Sequence, residues 1–247
     1  MFNPHFLLIS LGNQAPYYEC LHSTGHFALA ALQKFLSSSQ PPFKSERYGG
    51  KSCLASTDPG YLTMVQSPTQ MNVSGPWVAK TWKEMLQTHQ LEPSQLSLVL
   101  VHDDLESQFG HVKVRPWYSS HRGHNGVKSV NASIKPPSSP GTWWSRISIG
   151  IGRPEARDHT SVADYVLKNL TRYQKDIIDT EVGSNVFHCL QGIEEIWGQE
   201  FQKAYASRYA LSHPVWLPKS LRYMSKDLER VEALRDSTIR HHQRRKK

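Results

Sequence analysis

Two short runs of this chain, Phe6-Leu7-Leu8-Ile9-Ser10-Leu11-Gly12 and Leu96-Ser97-Leu98-Val99-Leu100-Val101, are apolar on both faces that a β-strand would present. A strand half-exposed to water alternates apolar with polar side chains. One that is apolar throughout needs cover on both sides, which helices laid over a mostly parallel sheet provide. Around these runs the spacing changes to a helical repeat. Thr24 to Leu36 carries Phe27, Leu29, Ala30, Ala31, Leu32 and Phe35, and Ser74 to Thr88 places Val78, Trp82, Met85 and Leu86 on one side. The alternation predicts an α/β domain with a twisted mixed β-sheet flanked by helices on both faces. Active sites of such sheets lie beyond the carboxyl ends of the strands. Asn13 and Asp103 follow the two apolar runs, so they fall there.

The remaining segments fit the same architecture. Strands are expected near 52–57 and 61–66, divided by the turn Asp58-Pro59-Gly60. An edge strand is expected over His111 to Trp117, a helix over Gly126 to Ile134, and a strand over Arg146 to Gly152. A long helical region covers 172–208, with Ile177, Ile178, Val186, Leu190, Ile193, Ile196, Trp197 and Phe201 as its apolar positions. One domain over residues 1–211 is therefore expected, followed by a basic C-terminal extension over 212–247. Within that extension, 212–219 reads as a linker and 220–240 could form one short amphipathic helix.

Charge is distributed unevenly. The net charge is +8, yet Pro214 to the end holds ten Lys/Arg against four Asp/Glu and closes in Arg240-His241-His242-Gln243-Arg244-Arg245-Lys246-Lys247. A run of this kind attracts polyphosphates and acidic surfaces non-specifically. Further RNA, the ribosome and an anionic membrane are the partners it suits, and a solvated terminus is the plain alternative. Three cysteines without CxxC or Cys-His spacing argue against a disulfide framework and for a reducing compartment. No run approaches the roughly 20 apolar residues of a membrane span, and a first strand beginning near Phe6 leaves no room for a cleavable presequence. The cytoplasm is the expected location, with mitochondrial association left open. Gly150-Ile151-Gly152 lacks the third, helix-opening glycine of a phosphate loop, and no cofactor is expected.

Hydrolysis of an ester near neutral pH needs a base for water, a group that orients the base, and donors for the developing oxyanion. Histidine suits the first task because its unperturbed pKa is about 6.5. A carboxylate suits the second, since it fixes the tautomer and stabilises the imidazolium. The chain offers His22, Asp103 and the amides of Asn13, Asn72 and Asn125, all at loop or element ends.

In order along the chain, Gly12-Asn13, His22, Met71-Asn72-Val73-Ser74-Gly75, His102-Asp103-Asp104, Gly123-His124-Asn125-Gly126 and Arg146-Ile147-Ser148-Ile149-Gly150 resemble the bacterial-type peptidyl-tRNA hydrolase family. The resemblance covers roughly residues 6–210 and implies hydrolysis of peptidyl-tRNA by a monomer without cofactor. It makes His22 the general base, Asp103 its partner, and Asn13 and Asn125 further members of the catalytic group. Asn125 is expected at the water or the ester carbonyl. Tyr17, Met71, Asn72 and His124 are implied as substrate contacts, with Tyr18 a close rival of Tyr17. Lys113 and Arg115 match basic residues that grip the tRNA 5′-phosphate, while a third such position falls on Ser148 with Arg146 nearby. The chain departs from the pattern where Gln14-Ala15 replaces Pro-Gly after Gly12-Asn13, and where Trp117-Tyr118-Ser119-Ser120-His121-Arg122 replaces a glycine-rich segment.

Two other readings are open to this sequence. A metallohydrolase could draw on His22 and His26 or on His121 and His124, but Gly25 interrupts the first pair and no H-E-x-x-H pattern follows, so no metal is expected. A non-catalytic RNA-binding module, such as a splicing partner, is open to the same fold. The complete set of His22, Asp103, Asn13, Asn72 and Asn125 favours an enzyme.

Overall fold

A computed structural model of the protein describes residues 5–136 and 142–210. The linker and amphipathic helix expected within 212–247 lie outside the described residues. Seven strands form one sheet: β1 (His5–Ser10), β2 (Lys44–Tyr48), β3 (Lys51–Asp58), β4 (Leu62–Gln66), β5 (Leu96–Asp104), β6 (Val112–Pro116) and β7 (Trp144–Gly150), in the order β2-β3-β4-β1-β5-β7-β6. Strands β4, β1, β5 and β7 run parallel to one another, β3 and β2 add antiparallel at one edge, and β6 pairs antiparallel with β7 at the other. The helices are α1 (Thr24–Phe35), α2 (Ser74–Thr88), α3 (Asn125–Ser133), α4 (His159–Val166), α5 (Arg172–Ile177) and α6 (Gly183–Ala210), the last two joined through a π-helical turn at Ile178–Val182.

The apolar runs explain the layering. Phe6 and Leu8 of β1, with Val99 and Val101 of β5, pack in the cluster that holds Leu29 and Leu32 of α1 and Trp197 of α6. Leu7 and Ile9, with Leu98 and Leu100, pack on the other side with Trp77 and Trp82 of α2 and Val127 of α3. Each strand therefore buries both of its faces, and each fully buried Leu or Ile contributes roughly 1.5–3 kcal/mol of apolar transfer. No helix among the described residues is long and apolar enough to cross a membrane.

Two elements were not expected from the sequence. β2 is polar, with Lys44, Ser45 and Arg47 exposed, and it is a strand because the Gly49-Gly50 turn folds it onto β3. Both glycines have positive φ, 57° and 79°, which suits a tight hairpin turn. α4 buries only Val166, so its sequence carries almost no helical stripe, although Asp158 caps it by accepting from the Ser161 N–H. The π-turn is likewise a feature that a helical pattern cannot distinguish.

In the sheet, β1 has β4 on one side and β5 on the other, so the chain reverses its direction of winding at β1. A crevice opens at such a reversal, outside the carboxyl ends of the two strands. The segments after β1 and β4, the end of β5 and the start of α3 all converge there.

Candidate active site

β5 is longer than the apolar run predicts: it continues through His102, Asp103 and Asp104. Alternation then sends neighbouring side chains to opposite faces. Asp103, only 2% exposed, accepts from two imidazoles. His22 Nδ1 lies 2.9 and 3.0 Å from its two carboxylate oxygens, and His124 Nε2 lies 3.0 Å from Oδ1. His22 comes from the single 3-10 turn Leu21–Ser23 that opens α1. Its donation through Nδ1 leaves Nε2 without a protein hydrogen bond among the described residues, as a base requires. The ring is 14% exposed, so water reaches it.

His124 is the N-cap of α3, and its Nδ1 accepts from the Val127 N–H at 3.3 Å. That acceptor role fixes the neutral tautomer whose Nε2–H points at Asp103. Burial, the largest influence on it, lowers the His124 pKa and keeps the ring neutral. Burial also opposes protonation of His22, but the Asp103 charge and hydrogen bond outweigh it, and the His22 pKa is raised. For Asp103 burial opposes ionisation, and the two imidazoles prevail, holding the carboxyl far below the usual range. His102, on the opposite face of the strand, is buried and pushed down to about 3, so it stays neutral. Its Nδ1–H donates to the Asp103 carbonyl at 2.7 Å.

The three amides differ in their surroundings. Asn13 follows β1, its N–H donates to Ser23 Oγ at 2.9 Å, and its side-chain Nδ2 reaches Cys20 Sγ at 3.6 Å. Ser23 in turn donates to the Tyr17 carbonyl at 3.1 Å, so one buried hydroxyl ties the loop after β1 to the turn that carries His22. Sequence reasoning passed over Ser23; its place beside His22 was the available signal. Gly12 carries no side chain because a Cβ there would meet the His26 ring at 2.5 Å. Asn72, in the 3-10 turn Met71–Val73, and Asn125, the first residue of α3, are both exposed. Met71 is buried, and a Cβ on Gly126 would come within 2.5 Å of its sulfur, so it spaces the Asn72 turn from the Asn125 turn.

Tyr17 is 50% exposed, whereas Tyr18 bonds Gln66 and packs on His26 and Phe27. Arg115 does not stand free: it donates to Asp104 at 3.0 Å and to Ser148 Oγ at 3.3 Å. Arg122 also lies 3.7 Å from Asp104. The role of Asp104, hydrogen-bond acceptor for Arg115 and ion-pair partner of Arg122, was missed, because only the fold brings 104, 115 and 122 together. Lys113 is half-buried and pairs in register with Ser148.

Of the first histidine pair weighed for a metal, His26 is engaged in the core. His26 is buried, bonds Ser10 Oγ at 2.7 Å, and is pushed down to about 3 by burial. Among the described residues, His22, Asp103 and His124 do offer ligand atoms within 4.8 Å of one another. Their hydrogen bonds account for that closeness. With Nδ1 of His124 spent on Val127 and Nε2 carrying the donated proton, this ring has no lone pair to give a cation.

A sheet covered on both faces, with a carboxylate-oriented imidazole at its switch point, defines an α/β protein equipped for hydrolysis by general-base chemistry. The comparisons give the family. The model for the peptidyl-tRNA hydrolase family matches residues 7–215, and the chain belongs to that family. It is 30% identical over 199 residues to the peptidyl-tRNA hydrolase of Delftia acidovorans, covering 80% of this chain and 86% of the relative. A probable peptidyl-tRNA hydrolase of Schizosaccharomyces pombe is 34% identical over 134 residues, covering 54% of this chain and 62% of the relative. The crystal structure of peptidyl-tRNA hydrolase from Acinetobacter baumannii superposes with a TM-score of 0.56 at 18% identity, covering 83% and 93% of the two chains, and bears on the fold alone.

Proposed function

We propose that this chain hydrolyses the ester bond between peptide and tRNA in peptidyl-tRNA, through His22, Asp103, Asn13 and Asn125. The observation that carries this reading is the 2.9 Å contact between His22 Nδ1 and Asp103. With Nδ1 donating, Nε2 of His22 takes a proton from water as its oxygen attacks the ester carbonyl. The imidazolium so formed is stabilised by the Asp103 carboxylate. As the tetrahedral intermediate collapses, the same proton passes to the leaving ribose oxygen, releasing free tRNA and a peptide carboxylic acid, which gives up the other water proton to solvent. Asn13 and Asn125 flank the base and serve as amide donors to the substrate carbonyl or the attacking water.

Tyr17 and Asn72 are exposed and suit contacts with the peptide part, with Met71 and His124 fixing the walls between them. Lys113 and Arg115 lie at the edge of the sheet, on the side where the tRNA would approach. Residues 1–211 form the catalytic domain in this reading, and 212–247 a basic extension that adds non-specific affinity for RNA, the ribosome or an anionic membrane. A cytoplasmic monomer is sufficient for the chemistry, with association with mitochondria a further proposal.

The test is incubation of purified protein with peptidyl-tRNA and separation of the products. Release of free tRNA at catalytic protein concentration is expected. Stoichiometric binding without release would replace the enzyme by the RNA-binding module.

A further inference from the structure

The mechanism above leaves one buried cation unused. Arg146 lies inside β7, is 1% exposed, and makes no ion pair of its own among the described residues. A guanidinium so placed depends on hydrogen bonds; those of Arg146 all run through Nη2, while its Nε is buried without one among the described residues. Its Nη2 donates to Ser119 O and Ser119 Oγ, both at 2.5 Å, and to Pro116 O at 3.3 Å. Ser119 itself folds back, its N–H donating to Pro116 O at 3.0 Å and its hydroxyl to the same oxygen at 2.8 Å. Arg146 therefore pins a turn at the end of β6.

That turn begins the connection that leads to His124. The connection has no helix or strand of its own between Pro116 and Asn125. Near its end Arg122 and Gly123 both take positive φ, 47° and 84°. For Arg122 this is a backbone conformation that L-residues adopt at a cost, and surrounding contacts must hold it. They do so at both ends. Arg146 holds Pro116 and Ser119, while Arg122 reaches Asp104 and the His124 N–H donates to the His121 carbonyl at 2.8 Å.

We propose that Arg146 is a positioning residue for catalysis: by anchoring the turn at Pro116 and Ser119, it delivers His124 onto Asp103 and so keeps that carboxylate aimed at His22. The inference rests on the hydrolase reading above. Arg146 touches no reacting atom and acts only through His124. A merely structural arginine would lower the amount of folded protein. A positioning arginine lowers the rate of each folded molecule and loses its effect once His124 is gone.

The test uses the full chain carrying R146M, R146K, H124A and the H124A/R146M pair. Single-turnover hydrolysis of peptidyl-tRNA is measured on folded protein, and imidazole nitrogen signals are read by NMR. R146M should slow the chemical step about tenfold with KM little changed, the rate equivalent of one lost hydrogen bond to a charged group. R146K keeps a single-nitrogen donor, as Nη2 is, but on a shorter side chain, so it should recover part or all of the rate. The double variant should be no slower than H124A alone. In NMR, His124 should show a protonated, hydrogen-bonded Nε2 in the wild type and lose that signal in R146M. Penalties that multiply in the double variant, or a wild-type rate in folded R146M, would overturn the proposal. Should R146M not fold, R146K decides: a slowed, folded R146K that keeps the wild-type His124 Nε2 signal would overturn it equally. The ring signals do not depend on turnover. An inactive wild type would end the hydrolase reading, while the NMR comparison would still judge the anchor.

Discussion

At the scale of single residues, the account turns on one carboxylate serving two imidazoles with different duties. His124 is kept neutral chiefly by burial, with its Nδ1 accepting from the Val127 N–H, and His22 is the ring whose proton affinity is raised. Since the base must be unprotonated to act, the sign of the pH dependence follows. Activity should be lost as pH falls through a His22 pKa that lies above its ordinary 6.5. In Asp103→Asn the charge that raises this pKa is gone, so the acid limb of kcat/KM should move to lower pH. The plateau should drop by roughly 10²–10⁴-fold, because the amide also fails to hold the tautomer. A pH–rate profile of the two proteins checks both. An acid limb at the same pH in Asp103→Asn would mean that another group controls it.

At the scale of elements, the site depends on how closely α2, α3 and the strand ends approach. Gly75, in the first turn of α2, lies against α3, where a Cβ would come 2.1 Å from the Ser129 carbonyl oxygen. Gly75→Ala should therefore push α3 away, at a cost of about 1–3 kcal/mol, and shift Asn125 and His124 with it. Thermal unfolding would register the loss, and turnover should fall further than stability alone explains. In β5, Leu100→Ala empties a fully buried position on the α2 and α3 side and should destabilise by about 2–5 kcal/mol. Chemical denaturation measures it, and a change below 1 kcal/mol would contradict the packing described.

What the sequence made legible follows the same division. Doubly apolar strands such as Phe6–Ile9 announce themselves, because burial on both faces leaves no polar position. Lys44–Tyr48 does not, since an edge strand beside solvent is specified by the partner that pairs with it. His22, Asp103 and Asn125 could be picked out by type and place along the chain. The bond from His124 to Asp103, the ion pairs of Arg115 and Arg122 with Asp104, and the anchor from Arg146 to Ser119 could not. They join segments that only the folded sheet brings together.

At the scale of the whole molecule, a body that is nearly neutral before Pro214 meets a nucleic-acid substrate, and much of the positive charge lies outside the described residues. The family match ends at residue 215, so deletion of 219–247 leaves it entire. If this extension contacts RNA, its removal should weaken tRNA binding and flatten the dependence of affinity on salt, by an amount that grows with each phosphate released. The loss should be similar for all tRNAs, because phosphate contacts carry no sequence information. Turnover of a short substrate lacking most of the tRNA should be unchanged. Equal salt slopes for the full and shortened chains, measured by titration at several ionic strengths, would assign the extension to a ribosome or an anionic membrane instead. The central claim, that His22 is the base of an ester hydrolase, is tested most directly by comparing wild type with His22→Ala under single-turnover conditions on peptidyl-tRNA. With folding confirmed for both, the account predicts a rate lower by about 10²–10⁴-fold in the variant. A folded His22→Ala protein that releases tRNA at near the wild-type rate would contradict it.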